Sequence, residues 1–383
     1  MSEYQYYEFL AVDRPLTTQE MAALRERSSR AHITPVSFSN SYNWGDLKGD
    51  PREWMKRYFD LHVYVANWRT AIFMLRLPRH VFDSQVFHAF TADGVFEVEA
   101  TPSHRVLVWA LEESEDDDPF VQEGGAGWMA RLAPLREELL RGDLRCLYIG
   151  WLAAVSQGLV DEGELEPMAV EGLGNLSAAQ QALAEFLEVD VDLLAGVGLA
   201  DRVGSKPEPA PDEVERWLAA LPSTEVMEML RLLLCGQGAQ AERALKAKFA
   251  EWRRGLYAAP EAPLRPVRVL WQAAEKAREL RLRREEKERE QAAAERRIKR
   301  QEYLASLAKD FPRIWRKVGK SAERGSGPGY DEACSLLADL AAAYGLHASR
   351  ATFDQELRRF MANHLRRKAL VQRLENAGLW RGI

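Results

Sequence analysis

The chain has 383 residues, with 52 Lys and Arg against 58 Asp and Glu, a formal charge of −6, and 46% hydrophobic residues. That length accommodates two or three domains with cores of their own. The acidic total gives the molecule as a whole no attraction for nucleic acid or an anionic membrane. Cys146, Cys235 and Cys334 lie too far apart for a disulfide framework or a sequence-local zinc site, which fits a reducing cytoplasm.

Met1-Ser2-Glu3-Tyr4 carries neither a basic n-region nor an apolar h-region, so no signal peptide is expected. Residues 4–12, rich in aromatic and branched side chains, predict a buried first strand. Thr17-Thr18-Gln19-Glu20 is a capping box, with Met21, Leu24 and Ser28 following on one helical face. Residues 31–38 predict a second strand leading into a loop at 40–45. Asp50-Pro51-Arg52-Glu53 opens another helix, whose face is Trp54, Met55, Tyr58 and Phe59. Residues 61–65, 72–77, 96–100 and 105–111 then read as four strands, so residues 1–111 form an α+β domain. The acidic run Glu112-Glu113-Ser114-Glu115-Asp116-Asp117-Asp118 reads as a solvated linker over 112–126 and the expected point of proteolytic cutting, the alternative being that it docks on the basic long helix; it lacks the ligand spacing of a calcium loop.

From Gly127 the pattern turns helical, giving a mainly α-helical region from 127 to 265. Helices are expected at 128–140, 144–157, after the second capping box Ser177-Ala178-Ala179-Gln180, after Asp190, and at 212–221, 223–235 and 241–253. A Pro-rich linker at 204–211 interrupts them. The apolar run 147–160 is too short and too often broken to span a bilayer. Residues 266–311 then predict one very long charged helix of the coiled-coil kind, roughly 65 Å long. Its ends are apolar at helical spacing (Leu270, Ala274, Ala277, Leu280; Ile298, Leu304, Leu307, Phe311), while its middle offers no continuous stripe to a core. After Pro312 a small C-terminal helical module, 312–383, is expected. It places Ile314, Trp315 and Val318 on one face, a glycine-rich turn at 325–329, and helices at 330–344, 353–361 and 365–374.

Tyr330-Asp331-Glu332-Ala333, then Leu336, Leu337 and Leu340, then Arg366-Arg367-Lys368-Ala369-Leu370 and Arg373-Leu374-Glu375-Asn376-Ala377-Gly378-Leu379, resemble the C-terminal helical segment of bacterial SWIM zinc-finger proteins. The likeness covers about the last 80 residues and implies a related helical module. The Cys-x-Cys and Cys-x-His ligands of the SWIM finger are absent, so it implies no zinc. The N-terminal part resembles an uncharacterised bacterial family, which implies no activity.

No catalytic signature is present, and no cofactor or metal is called for. Lys317-Val318-Gly319-Lys320-Ser321 ends like a phosphate-binding loop, but Ile314 stands where that loop needs glycine and no strand precedes it. His32, His62, His80, His88, His104, His347 and His364 show no metal-binding pair at helical spacing. His32, His62 and His104 fall on or beside strands and are the set whose convergence would make an enzyme site. Two groups are candidates for recognition. Asn40, Tyr42, Asn43, Trp44, Asp46, Asn67 and Trp68 cluster at strand ends, where loops carry binding. Arg289, Arg296, Arg297, Lys299 and Arg300, with Arg313, Arg316, Lys317 and Lys320, form the basic set of the long helix and its sequel. Residues 272–320 carry 16 Lys and Arg against 9 Asp and Glu, +7 against −13 elsewhere. Internal pairs Glu279–Arg283, Glu285–Arg289 and Glu295–Lys299 suit a solvated strut, but the surplus needs a counter-charge. The expected role is therefore an adaptor or accessory subunit of the bacterial cytoplasm, binding a partner protein through this helix and the N-terminal head. The alternative is a nucleic-acid-associated protein, and an enzyme in the N-terminal domain comes third.

Overall fold

The computed structural model describes residues 4–79, 84–111, 125–199, 211–236, 263–380 and scattered positions between 238 and 252. The acidic run, the stretch 204–210 and His80 lie outside the described residues. The chain forms two compact units, 1–280 and 281–383.

In the first unit β1 (Gln5–Leu10), β2 (His32–Thr34), β3 (Ser37–Tyr42), β4 (Leu61–Ala66), β5 (Ala71–Pro78), β6 (Phe96–Ala100) and β7 (His104–Leu111) make one antiparallel sheet ordered β2-β3-β1-β4-β5-β7-β6. Alternation along the strands sends Tyr7, Phe9, Tyr64, Met74, Val106 and Val108 to one face. There α1 (Thr18–Arg27) and α2 (Pro51–Arg57) cover them with Leu24, Trp54 and Met55. Both helices start as the sequence predicts: Glu20 N donates to Thr17 Oγ1, Thr17 N donates back to Glu20 Oε2 at 2.8 Å, and Asp50 Oδ1 accepts from Arg52 N.

Val63, Phe73, Leu75, Leu107 and Trp109 point to the other face. They share a single core with α4 (Trp128–Leu132), α5 (Pro134–Leu140), α6 (Arg145–Ser156), α7 (Ala178–Phe186) and α8 (Val191–Leu199). Trp109 lies so close across α6 that a Cβ at Gly150 would sit 2.6 Å from its indole nitrogen. The division drawn at 112–126 therefore separates two stretches of sequence but not two cores, and a head of residues 1–111 alone would strip one sheet face of its cover.

Several local expectations need correction. Residues 31–38 are not one strand: Thr34 Oγ1 accepts from Val36 N and pairs with Ser37 Oγ at 2.6 Å, turning the chain so that β2 and β3 form a hairpin. Asn40, Ser41 and Tyr42 thereby join β3 instead of a loop. Helix α3 (Ser84–Phe90) was not expected, and 128–140 breaks in two at Ala133–Pro134, where proline supplies no N–H.

The strand ends are tied by a buried ion pair. Asp60 Oδ1 accepts from Arg76 Nη2 at 2.7 Å and Nε at 3.1 Å, while Oδ2 accepts from the backbone N of Val12 and Asp13. Burial alone would raise the Asp60 pKa, but those two N–H donors and the Arg76 charge outweigh it and hold the carboxyl below its ordinary value. Arg76 Nη1 also donates to the carbonyls of Met55 and Lys56 at the end of α2. Arg136 on α5 donates to the Arg76 carbonyl and to Asp13. Helices on both faces are thus fastened to one corner of the sheet. Arg76→Met would leave the Asp60 charge buried without its partner, and urea unfolding of the full chain should show a loss of about 3–5 kcal/mol. A loss below about 1 kcal/mol would mean water reaches the pair and it holds nothing.

Candidate interaction surface

The long helix α11 (Val267–Ala308) follows α9 (Pro211–Ala220) and α10 (Ser223–Leu234) in sequence and runs unbroken for 42 residues. Its start is built by residues far upstream. Leu165 and Pro266 form a β-bridge, Val267 N donates to the Glu164 carbonyl, and Arg268 N donates to that of Glu162. Two first-turn N–H groups, which no helix can satisfy internally, are met in this way. Beneath them Glu166, almost fully buried, accepts from Arg265 N and Nε at 2.9 Å, Arg265 Nη2 at 2.7 Å and Tyr148 OH at 2.7 Å. Burial works to raise the Glu166 pKa, but these donors prevail and it lies below its usual value. Val267, Leu270 and Ala274 enter the sheet–helix core, and α8 crosses so closely that a Cβ on Gly196 would lie 2.5 Å from the backbone of Ala273 and Ala274.

Beyond Ala277 the helix leaves that core. From 278 to 303 every residue except Glu285 is exposed. Leu280 and Ile298, expected to dock, are 53% and 55% exposed. At the far end Leu304 and Leu307 pack with Ala343, and the helix stops at Ala308 instead of 311. The reason is Asp310, whose Oδ1 accepts from Arg313 N and caps a new helix, α12 (Phe311–Glu323). Phe311, assigned to the long helix from sequence, instead stacks on Tyr344 at 3.8 Å. α12 packs with α13 (Gly327–His347), α14 (Arg350–Ala362) and α15 (Lys368–Asn376) around Val318, Leu337, Leu340, Phe353, Met361, Leu370 and Leu374. Part of the expected glycine-rich turn is helical: Ser326 Oγ accepts from Gly329 N and starts α13 at Gly327.

The basic residues divide into two groups. Arg300 pairs with Asp339 at 2.6 Å, and Tyr303 OH donates to the same carboxylate. Lys317 lies 3.5 Å from Glu332, which also takes Arg324. These cations are used inside the unit. Lys299 reaches Glu295 only at 3.9 Å, and Glu285 pairs with Arg281. Arg289, Arg296, Arg297, Arg313, Arg316 and Lys320 are exposed, with no ion pair among the described residues. Arg289, Arg296 and Arg300 recur at i, i+7 and i+11, one stripe of α11. Arg313, Arg316, Lys317 and Lys320 recur at i, i+3, i+4 and i+7 on α12, opposite Val318, Ser321 and Ala322. Lys317–Ser321 lies inside this helix, so no phosphate-cradling loop exists there.

The N-terminal recognition candidates are mostly employed in holding the sheet. Asn40 Nδ2 donates to Ser28 Oγ, which also meets Tyr42 OH at 2.9 Å. Asp46 accepts from Tyr7 OH at 2.6 Å, and Gln5 bonds to Tyr64 OH and to the Gly45 carbonyl. Asn67 Oδ1 accepts from Tyr4 N, and Trp68 packs on the second core. Asn43 is exposed and Trp44 is 76% exposed, the one large aromatic of the group turned to solvent. His32, His62 and His104 do not converge. His32 is on an edge strand, His62 faces Met74, and His104 lies four residues along β7 from Val108, Met74's partner two strands away from β4. Among the described residues no three His, Cys, Asp or Glu side chains are grouped to hold a metal, and no helix is long and apolar enough to cross a membrane.

No family model matches the chain, and neither a curated protein nor a solved structure matches it.

His62 has a role in stability instead. Fully buried and stacked 3.9 Å from Phe9, it meets the Glu8 carbonyl through Nδ1 and leaves Nε2 without a partner among the described residues. Burial pushes its pKa down to about 3, the Glu8 carbonyl opposing only weakly. Below its ordinary value near 6.5 the unfolded chain gains a proton that the folded chain does not, so stability falls as pH drops from there toward 3. Between about pH 7 and about pH 5 this should remove about 2 kcal/mol, a drop that His62→Phe abolishes in paired urea titrations. An equal drop in both proteins would place the acid sensitivity elsewhere.

Proposed function

We propose that this is a non-enzymatic cytoplasmic binding protein whose C-terminal unit engages an acidic partner protein. The observation that carries the proposal is the segregation of charge. Residues 281–383 hold 23 Lys and Arg against 14 Asp and Glu, a surplus of 9, so residues 1–280 carry −15 of the −6 total. Surface cations that lack internal pairs contribute nothing to the fold and repel one another. Arg289, Arg296, Arg297, Arg313, Arg316 and Lys320 are in that position, whereas Arg300 and Lys317 are set aside by their own carboxylates. The resemblance of the last helices to the SWIM proteins' helical segment belongs to the same proposal, as a module without zinc. Trp44 extends it to the N-terminal unit as a solvent-facing contact residue.

A nucleic acid is the second reading, supported by Arg313, Arg316 and Lys320 on one face of α12; the absence of aromatic side chains from the middle of α11 speaks against base stacking there. Reversal of Arg296, Arg297, Arg316 and Lys320 to Glu in the full chain separates the readings. The circular-dichroism spectrum and melting should be unchanged, because all four are exposed and none is in an ion pair among the described residues. A protein partner that co-purifies with the wild type should be lost, while a short duplex added at low salt should give no shift with either protein. A shift with the wild type that weakens with salt and vanishes in the variant would replace the protein partner by nucleic acid. Retention of the same partners by the variant would remove the basic surface from the function.

A further inference from the structure

A groove between α1 and α2 is a second feature, independent of the basic surface and carried by the other unit. Asp50, Glu53, Trp54, Arg57 and Tyr58 recur at i, i+3, i+4, i+7 and i+8, one face of α2 with its two flanking residues. Across from them Ala23, Glu26 and Arg27 recur at i, i+3 and i+4 on α1. The groove encloses about 420 Å³. Small-molecule sites occupy roughly 300–1,000 Å³. Its floor is apolar, because Leu24 and Trp54 are buried in the core of this sheet face.

The polar groups on its walls are largely unengaged. Neither Trp54 Nε1 nor Tyr58 OH makes a hydrogen bond among the described residues, and Glu26 and Arg27 enter no ion pair there. Arg57 lies 3.9 Å from one oxygen of Glu53, whose other oxygen takes Lys56 at 2.9 Å. Asp50 uses Oδ1 to cap α2 through Arg52 N. The indole edge stays uncovered because residue 49 is glycine: a Cβ there would lie 2.8 Å from Nε1.

Walls of both signs select the ligand. A simple anion would find Arg27 and Arg57 but also Glu26 and the second oxygen of Asp50. A simple cation would meet the two guanidinium groups. One small molecule with opposite charges answers both sets, and charge drawn out of water is costly unless it is paired. A carboxylate is the group that a guanidinium fork holds well. An ammonium group suits Glu26, and a flat apolar body suits Trp54 and Tyr58. We infer that the groove binds a small aromatic zwitterion, of the class of the aromatic α-amino acids. Its carboxylate meets Arg27 and Arg57, its ammonium meets Glu26, and its ring lies over Trp54.

Calorimetric titration of the full chain with L-tryptophan, L-tyrosine and L-phenylalanine tests this. Each is compared with its analogues lacking the ammonium or the carboxylate; for tryptophan these are indole-3-propionate and tryptamine. The amino acid that binds best should do so once per chain and roughly tenfold more tightly than either of its analogues. Arg57→Ala should weaken the amino acid and its carboxylate analogue and leave the amine analogue unchanged. Glu26→Gln should weaken the amino acid and the amine analogue instead. Ala23→Phe, at an exposed helical position, should fill the groove and abolish binding with an unchanged circular-dichroism spectrum. No binding of any of the three amino acids, an analogue as tight as its parent, or binding that survives Ala23→Phe would each overturn the inference.

Discussion

A helix of 42 residues whose middle touches no core must be held at its ends, and at its start that falls to one buried carboxylate. Glu166 takes Arg265 through three nitrogens and Tyr148 through its hydroxyl. The pairing fixes the strand-like segment before α11 against 162–166, whose carbonyls then receive the first N–H groups of the helix. Without the clasp those groups and Glu166 would all need water, and the first turns would keep only apolar packing, through Val267, Leu270, Trp271 and Ala274, to hold them on the core. At the other end Leu304, Leu307 and the Asp339 pair with Arg300 do the same work within the C-terminal unit. The polar middle follows from this: its residues are released from packing and free to carry charge.

Much of this architecture could be read from the sequence because it is locally encoded. Thr17/Glu20 and Ser177/Gln180 are capping boxes that need no tertiary partner, and the uninterrupted Glu, Arg, Lys and Ala of α11 leave no other conformation. What could not be read depends on distant partners. Glu166 and Arg265 are 99 residues apart, and Asp60 lies in the bend before β4, Arg76 on β5 and Arg136 on α5. Nothing in the neighbourhood of any of them marks it as buried. The Thr34–Ser37 turn was hidden for a different reason: Ile33, Val36 and Phe38 give the β-branched and aromatic signature of a continuous strand, while two hydroxyls make the turn.

The candidate site was legible as a composition and not as an arrangement. Sequence located the surplus of Arg and Lys, but could not tell a cation spent on Asp339 from one left over, nor tell that Asn40, Tyr42, Asp46 and Asn67 are occupied with Ser28, Tyr7 and Tyr4. Sorting the cations by their partners narrows the surface to Arg289, Arg296 and Arg297 on α11 and Arg313, Arg316 and Lys320 on α12. It also explains how such a surface is tolerated: the unit's own core, built on Leu337, Leu340 and Phe353, is independent of it.

Amide hydrogen exchange along α11 tests most directly whether the helix is held from its ends. An isolated helix frays at its termini and is best protected in its centre. A helix clamped at both ends and bare between them shows the reverse, because opening the ends must first undo tertiary packing. The account predicts that amides in 269–277 and 303–308 exchange far more slowly than those in 283–300. A centre slower than both ends would contradict it.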